Sequence, residues 1–168
     1  HTCKDRLPTA AAAILHPKRP DCDYPFDALA GVGVAFKLIL ALAIKNGLKT
    51  TDVFNQYVDI ATLGTIADVV PLLGENRVIV DKGLKILHNP KRIGIRAVME
   101  VAGVLDKPLS ASTIAFSIAP RLNAAGRLGS AATAVELLLT NDESRARELA
   151  LLLDTENKER QQTERQIF

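Results

Sequence analysis

LGTIADVVPL, Leu63–Leu72, and PRLNAAGRLGS, Pro120–Ser130, are the stretches on which the reading of this chain turns. The first leaves one carboxylate, Asp68, in an otherwise uncharged run of small and apolar residues. A carboxylate among apolar neighbours is costly to bury unless it is paired or binds a cation. Hard cations such as Mg2+ or Mn2+ prefer carboxylate and water oxygens, with imidazole able to join for Mn2+. A helix cap or a turn aspartate is the plainer reading, and the residues alone leave both open. The second stretch sets Asn123 and Arg127 among small residues, where a backbone can approach an anion closely. Arg127 offers bidentate contacts to phosphate oxygens, and a helix opening after Gly129-Ser130 adds free N–H groups. An arginine paired with a structural carboxylate is the equal alternative.

Working outward, helical signals dominate. Ala10–Leu15 is a short apolar run read as a buried strand, and Pro17–Phe26, with three prolines, as a loop. A glycine-bearing turn from Leu29 feeds a helix to about Asn46, with Gly47 in the C′ position. Thr50 or Thr51 caps a helix from about Asp52 to Leu63, and Ile66–Val70 is a short strand or a helix end. Helices follow at Glu75–Leu87, Ile93–Ala102, Ser110 to about Ile118 before Pro120, and Ser130–Leu139. Thr140–Glu143 fits a capping box for a last helix whose apolar stripe is Ala146, Leu149, Ala150 and Leu153. Beyond Asp154 the segment TENKERQQTERQ is polar on every face, which marks a linker helix or a frayed tail.

Composition narrows the function classes. The chain has 168 residues, 48% of them hydrophobic, enough for a real core. Aromatics are 4% and Trp is absent, which argues against a base-stacking platform. A net charge of +2 implies no polyanion partner by itself. Cys3 and Cys22 form no CxxC pair, so a reducing cytoplasm is the default. No signal peptide is visible, and Leu29–Ile44, broken by Gly31, Gly33 and Lys37, reads as a core helix and not a membrane span. Lys82, Lys85, Lys91, Arg92 and Arg96 either track phosphates or form a solvated face, the commoner case. His16 and His88 read as loop and solvated residues. No Ser-His-Asp arrangement, GxGxxG or Walker motif is present, so covalent and nucleotide-cofactor chemistry find no support.

The segments also stand in a telling order: His1-Thr2, AAAAILHPKRPDCDYPF, LAGVGVAFKL, DIATLGTIADVVPLLGENR, PRLNAAGRLGSA, then a charged helix with Asn157 and Glu159-Arg160-Gln161. Together they resemble the DHH phosphoesterase superfamily, and within it the bacterial exonucleases that digest single-stranded DNA 5′→3′. The resemblance implies an α/β fold, mostly helical in this stretch, with a few parallel strands and a long connector helix. It implies residues 1–140 as the C-terminal part of the catalytic domain and 141–168 as an interdomain linker. His1 matches the last His of the Asp-His-His triplet, and Asp68 the acid of the fourth motif; both would be catalytic metal ligands. Arg127 matches an arginine facing the substrate phosphate, with Asn123 beside it. A two-metal Mn2+ or Mg2+ site is implied for the intact protein, incomplete here. The first and second motifs and the strand-holding C-terminal domain are expected to lie outside this chain. Implied too are single-stranded DNA as partner, a role in DNA repair and recombination, helicase or single-strand-binding protein as possible companions, and no membrane. Two alternatives stand beside this: a superfamily phosphodiesterase acting on oligonucleotides or cyclic dinucleotides, and a non-catalytic nucleic-acid-binding module.

Overall fold

A computed structural model describes residues 10–128 and 131–167. His1 and Ser130 therefore lie outside the described residues. The chain divides into two compact units, His1–Gly83 and Leu84–Phe168.

The first unit is built on α1 (Gly31–Lys45) and α2 (Thr50–Ala67), which pack against each other, and the opening turns of α3 (Gly74–Leu87). Phe36 of α1 meets Phe54 of α2 with ring centroids 5.2 Å apart. Val58, Ala61, Leu63 and Ile66 are buried on α2, and Ile79 and Val80 on α3. The Thr62 hydroxyl, fully buried on α2, donates to the Ile79 carbonyl at 3.0 Å, which fixes α3 on α2. Leu38 and Leu42 leave an apolar outer face on α1.

The second unit contains α4 (Ile93–Val101), α5 (Ala111–Thr113), a π-helical turn (Ile114–Ile118), α6 (Ala119–Leu128), α7 (Ala131–Leu139) and α8 (Glu143–Ile167). Its core gathers Ile95, Val98, Met99, Ile114, Ile118, Leu137, Leu149 and Leu153. α4 crosses α7 at backbone contact: a Cβ on Gly94 would stand 1.7 Å from the Leu137 carbonyl oxygen. α8 runs 25 residues, about 37 Å at 1.5 Å per residue. Its stripe of Ala146, Leu149, Ala150 and Leu153 is buried as the spacing predicts.

Several expectations need correction. Among the described residues there is no strand, and Ala10–Leu15 is irregular. An extended apolar run becomes a strand only beside another strand to bond, and no described segment offers that edge. The helical part of the α/β expectation holds; the parallel strands are not seen. α2 opens at Thr50, with Lys49 as N-cap and no side-chain cap, and it continues past Leu63 to Ala67. Ile66–Val70 is thus a helix end. Pro120 does not stop the helix that Ser110 opens. The Ser110 hydroxyl accepts from the Thr113 amide at 3.1 Å, as expected, and the chain then passes through the π turn into α6. The π turn ends with the Ala119 amide bonding the Ile114 carbonyl five residues back, and this widened turn directly before Pro120 accommodates the ring and the missing N–H within a continuous helical run. At α8 the cap is Asp142 and not Thr140: its carboxylate accepts from the amides of Ser144 at 2.8 Å and Arg145 at 3.1 Å. The polar end of α8 is not exposed all round either, because Asp154 and Asn157 are buried.

Candidate functional site

Asp68 closes α2. Its amide bonds the Gly64 carbonyl at 3.0 Å, and its carboxylate is exposed. The expectation of a buried acid is thereby corrected. α2 turns Leu63, Thr65 and Ile66 inward, and position 68 falls just past the last turn, outside that face. No hydrogen bond or ion pair ties the Asp68 carboxylate among the described residues. It stands beside the carbonyl end of a helix, which carries partial negative charge and favours a cation.

The residue after it is unusual. Val69 has φ 56°, in the left-handed region, and is 86% exposed. α1 and α4 end with the same left-handed turn, but there the residue is Gly47 or Gly103, each at φ 68°. In both of those turns the next amide reaches back to the helix: Leu48 to the Ala43 carbonyl and Val104 to the Met99 carbonyl, each 2.9 Å. At Asp68 a β-branched residue takes the position glycine fills elsewhere in this chain, against a steric preference of about 1–2 kcal/mol.

Asn76 holds the segment that follows. It is fully buried, and its side-chain amide donates to the carbonyls of Ala28 at 2.7 Å and Pro71 at 3.0 Å. Beside it, Glu75 accepts from the Tyr24 hydroxyl at 2.6 Å and pairs with Lys37 at 3.1 Å. Lys37 also lies over the Tyr24 ring, 5.7 Å from its centre. Burial and the Glu75 carboxylate push the Tyr24 phenol above its ordinary range. Sequence reasoning passed over Asn76; an amide side chain opening an otherwise amphipathic helix is the signal that would have found it.

The PRLNAAGR segment is helical. Asn123 is exposed on α6, and Ala124 and Ala125, fully buried, face the interior of the unit. Arg127 comes one turn after Asn123, within α6, and the helix expected beyond Gly129-Ser130 opens at Ala131 as α7. A residue not singled out in the sequence organises this motif. Arg121 is largely buried and donates through Nε to Asp154 on α8 at 2.9 Å and through Nη1 to the Ser117 carbonyl at 2.5 Å. Of the basic group, Arg96 is paired with Glu143 at 2.5 Å, and Lys85 and Arg92 are also engaged, which favours the solvated-face reading. The structure thus places Asn123 and Arg127 on one helix of the second unit, and Asp68 at a helix end of the first. Among the described residues no group of three His, Cys, Asp or Glu side chains is arranged to hold a metal ion. None of the described helices is long and apolar enough to cross a membrane.

No protein-family model matches the chain. Curated relatives do. The chain is 46% identical over 149 residues to the single-stranded-DNA-specific exonuclease RecJ of Bacillus subtilis, a match covering 89% of this chain and 18% of that protein. It is 45% identical to RecJ of Haemophilus influenzae, over 98% of this chain and 30% of the relative. The solved structure of Thermus thermophilus RecJ in complex with Mg2+ superposes with a TM-score of 0.77 at 41% identity, covering 86% of this chain and 22% of that one. A RecJ structure bound to manganese gives 0.72 at 42% identity, over 80% of this chain and 34% of that one. The chain spans less than a third of the length of these curated relatives. Agreement of sequence and fold at this level makes the chain a homologue of RecJ, the single-stranded-DNA-specific exonuclease, over a segment of that enzyme's length.

Proposed function

We propose that this chain supplies part of the active site of a metal-dependent 5′→3′ exonuclease of single-stranded DNA. The observation that carries the reading is Asp68: an exposed carboxylate with no partner among the described residues, at a helix end inside the matched segment. Its hard oxygens suit the Mg2+ and Mn2+ that the solved RecJ structures hold. One carboxylate is a single ligand, so Asp68 would act within a set, with His1 as a second member and others from elsewhere in the protein. When bound, such ions lower the pKa of water and polarise a phosphodiester. Asp68 would anchor one of them, and its place beyond the last turn of α2 leaves it open to do so. Arg127 would bind the phosphate oxygens and offset the charge that develops there. Asn123, exposed one turn earlier on α6, would hold the strand beside it.

Residues 1–140 would then belong to the catalytic domain and 141–168 to a connector, with α8 as its rigid element. Work in DNA repair in the cytoplasm, alongside helicase or single-strand-binding protein, is the setting this activity fits. The test is Asp68→Ala in the full natural protein, assayed for Mn2+-dependent digestion of a 5′-phosphorylated single strand. Loss of a metal ligand is expected to lower kcat at least about a hundredfold. Unchanged digestion would sink the assignment. A dinucleotide hydrolysed faster than the long strand would move the substrate to short oligonucleotides.

A further inference from the structure

The two faces of α6 do different things. Arg121, Ala124 and Ala125 form the face turned toward the rest of the second unit, and Asn123 lies off that face, exposed. The alanines carry no polar group that could fix how far α6 slides or rotates on its support. Arg121 does. Its guanidinium sends Nε and Nη2 to the same oxygen of Asp154, at 2.9 and 2.8 Å, and Nη1 to the Ser117 carbonyl. The other Asp154 oxygen accepts from Lys158 at 2.7 Å. The side chains of Arg121 and Asp154 are only 16% and 8% exposed, so the pair is shielded from solvent and directional. Asp154 sits where the apolar stripe of α8 gives out, next to buried Asn157, whose side-chain oxygen accepts from Arg160 at 3.3 Å.

A buried ion pair is weak as a source of stability, since desolvation offsets much of the attraction. Its geometry is restrictive, however: the rigid planar guanidinium donates in fixed directions, here two toward one Asp154 oxygen and one toward the Ser117 carbonyl. The site chosen for it is the motif helix and the connector helix. We propose that Arg121 and Asp154 are positioning residues, through which α8 sets the rotation and axial register of α6 and hence the placement of Asn123 and Arg127 on the substrate phosphate. This rests on the exonuclease reading given above. Neither residue touches substrate in this account; they act through the helix that carries the residues that do.

The test uses the full natural protein and two variants, Asp154→Asn and the double variant Arg121→Met/Asp154→Leu. The second replaces the pair by apolar side chains of similar length, which fill the space without directional bonds. Misplacement of a reacting group by about 1 Å can cost a hundredfold in rate. Expected for both variants is a fall in kcat of tenfold or more on a 5′-phosphorylated single strand in Mn2+, with KM within threefold of the parent. The double variant is expected to keep a thermal midpoint at or above the parent's. A double variant or an Asp154→Asn variant with parental kcat would overturn the proposal and leave the pair a structural contact. A parent protein that digests no single strand would overturn the exonuclease reading, and this proposal with it.

Discussion

Val69→Gly is expected to stabilise the protein. An L-residue in the left-handed region costs about 1–2 kcal/mol, and a β-branched one lies toward the upper end. Glycine removes that cost at φ 56°. Against this, glycine enlarges the conformational freedom of the unfolded chain, a loss of about 0.4–1 kcal/mol. Little burial is forfeited, since Val69 is exposed. The difference is a gain of about 1 kcal/mol. With an unfolding entropy of about 2.1 cal/mol/K per residue over 168 residues, that gain corresponds to a rise in Tm of about 3 °C. Equilibrium urea unfolding followed by circular dichroism reads it directly: the midpoint moves up and the slope stays constant. A variant less stable than the parent would refute the reasoning, because it would mean that the valine side chain contributes more than its backbone conformation costs. If the left-handed turn serves Asp68, the same variant loosens the backbone next to that carboxylate, and its Mn2+ affinity, read by electron paramagnetic resonance, falls as stability rises.

Gly94→Ala is expected to be among the most damaging small substitutions, since the added Cβ would meet the Leu137 carbonyl at 1.7 Å and force α4 off α7. A loss of about 1–3 kcal/mol should appear in the same urea experiment; a neutral outcome would mean that the two helices do not touch there. Glu136 accepts from Arg145 at 2.7 and 3.1 Å, and that bonding holds its carboxyl below the ordinary glutamate range. Its contribution to stability is therefore present above the unfolded-state pKa and fades as pH falls through the lower folded one. An NMR titration of its side-chain carbon should give a depressed midpoint, and Arg145→Met should return it to the ordinary value.

The helices of this chain were legible because their signals are local. Gly47 and Gly103 end α1 and α4 in left-handed turns, Ser110 caps α5, and the stripe from Ala146 to Leu153 buries one face of α8. Each follows from backbone sterics, a single hydrogen bond or a 3.6-residue period. Pro120 misled for a local reason too: proline ends helices in general, and the preceding π turn that accommodates it leaves no mark in composition. The Ala10–Leu15 run failed differently, since strand formation depends on a neighbour and not on the run itself.

Of the candidate site, residue identity was legible and environment was not. Asp68, Asn123 and Arg127 stand out by motif, and the homology to RecJ follows from the order of those motifs. Whether Asp68 is buried depends on where α2 stops, and its exposure comes from a helix that runs to Ala67 before the chain turns at Val69. Arg121 and Asp154 lie thirty-three positions apart in sequence and meet only because α6 packs on α8. Asn76 reaches Ala28 across forty-eight positions in the same way. Sequence determines which groups can donate, accept or carry charge and which short segments coil. Only the packed structure decides which of those groups lose water, and a charge acquires its partner, and its role, when it does.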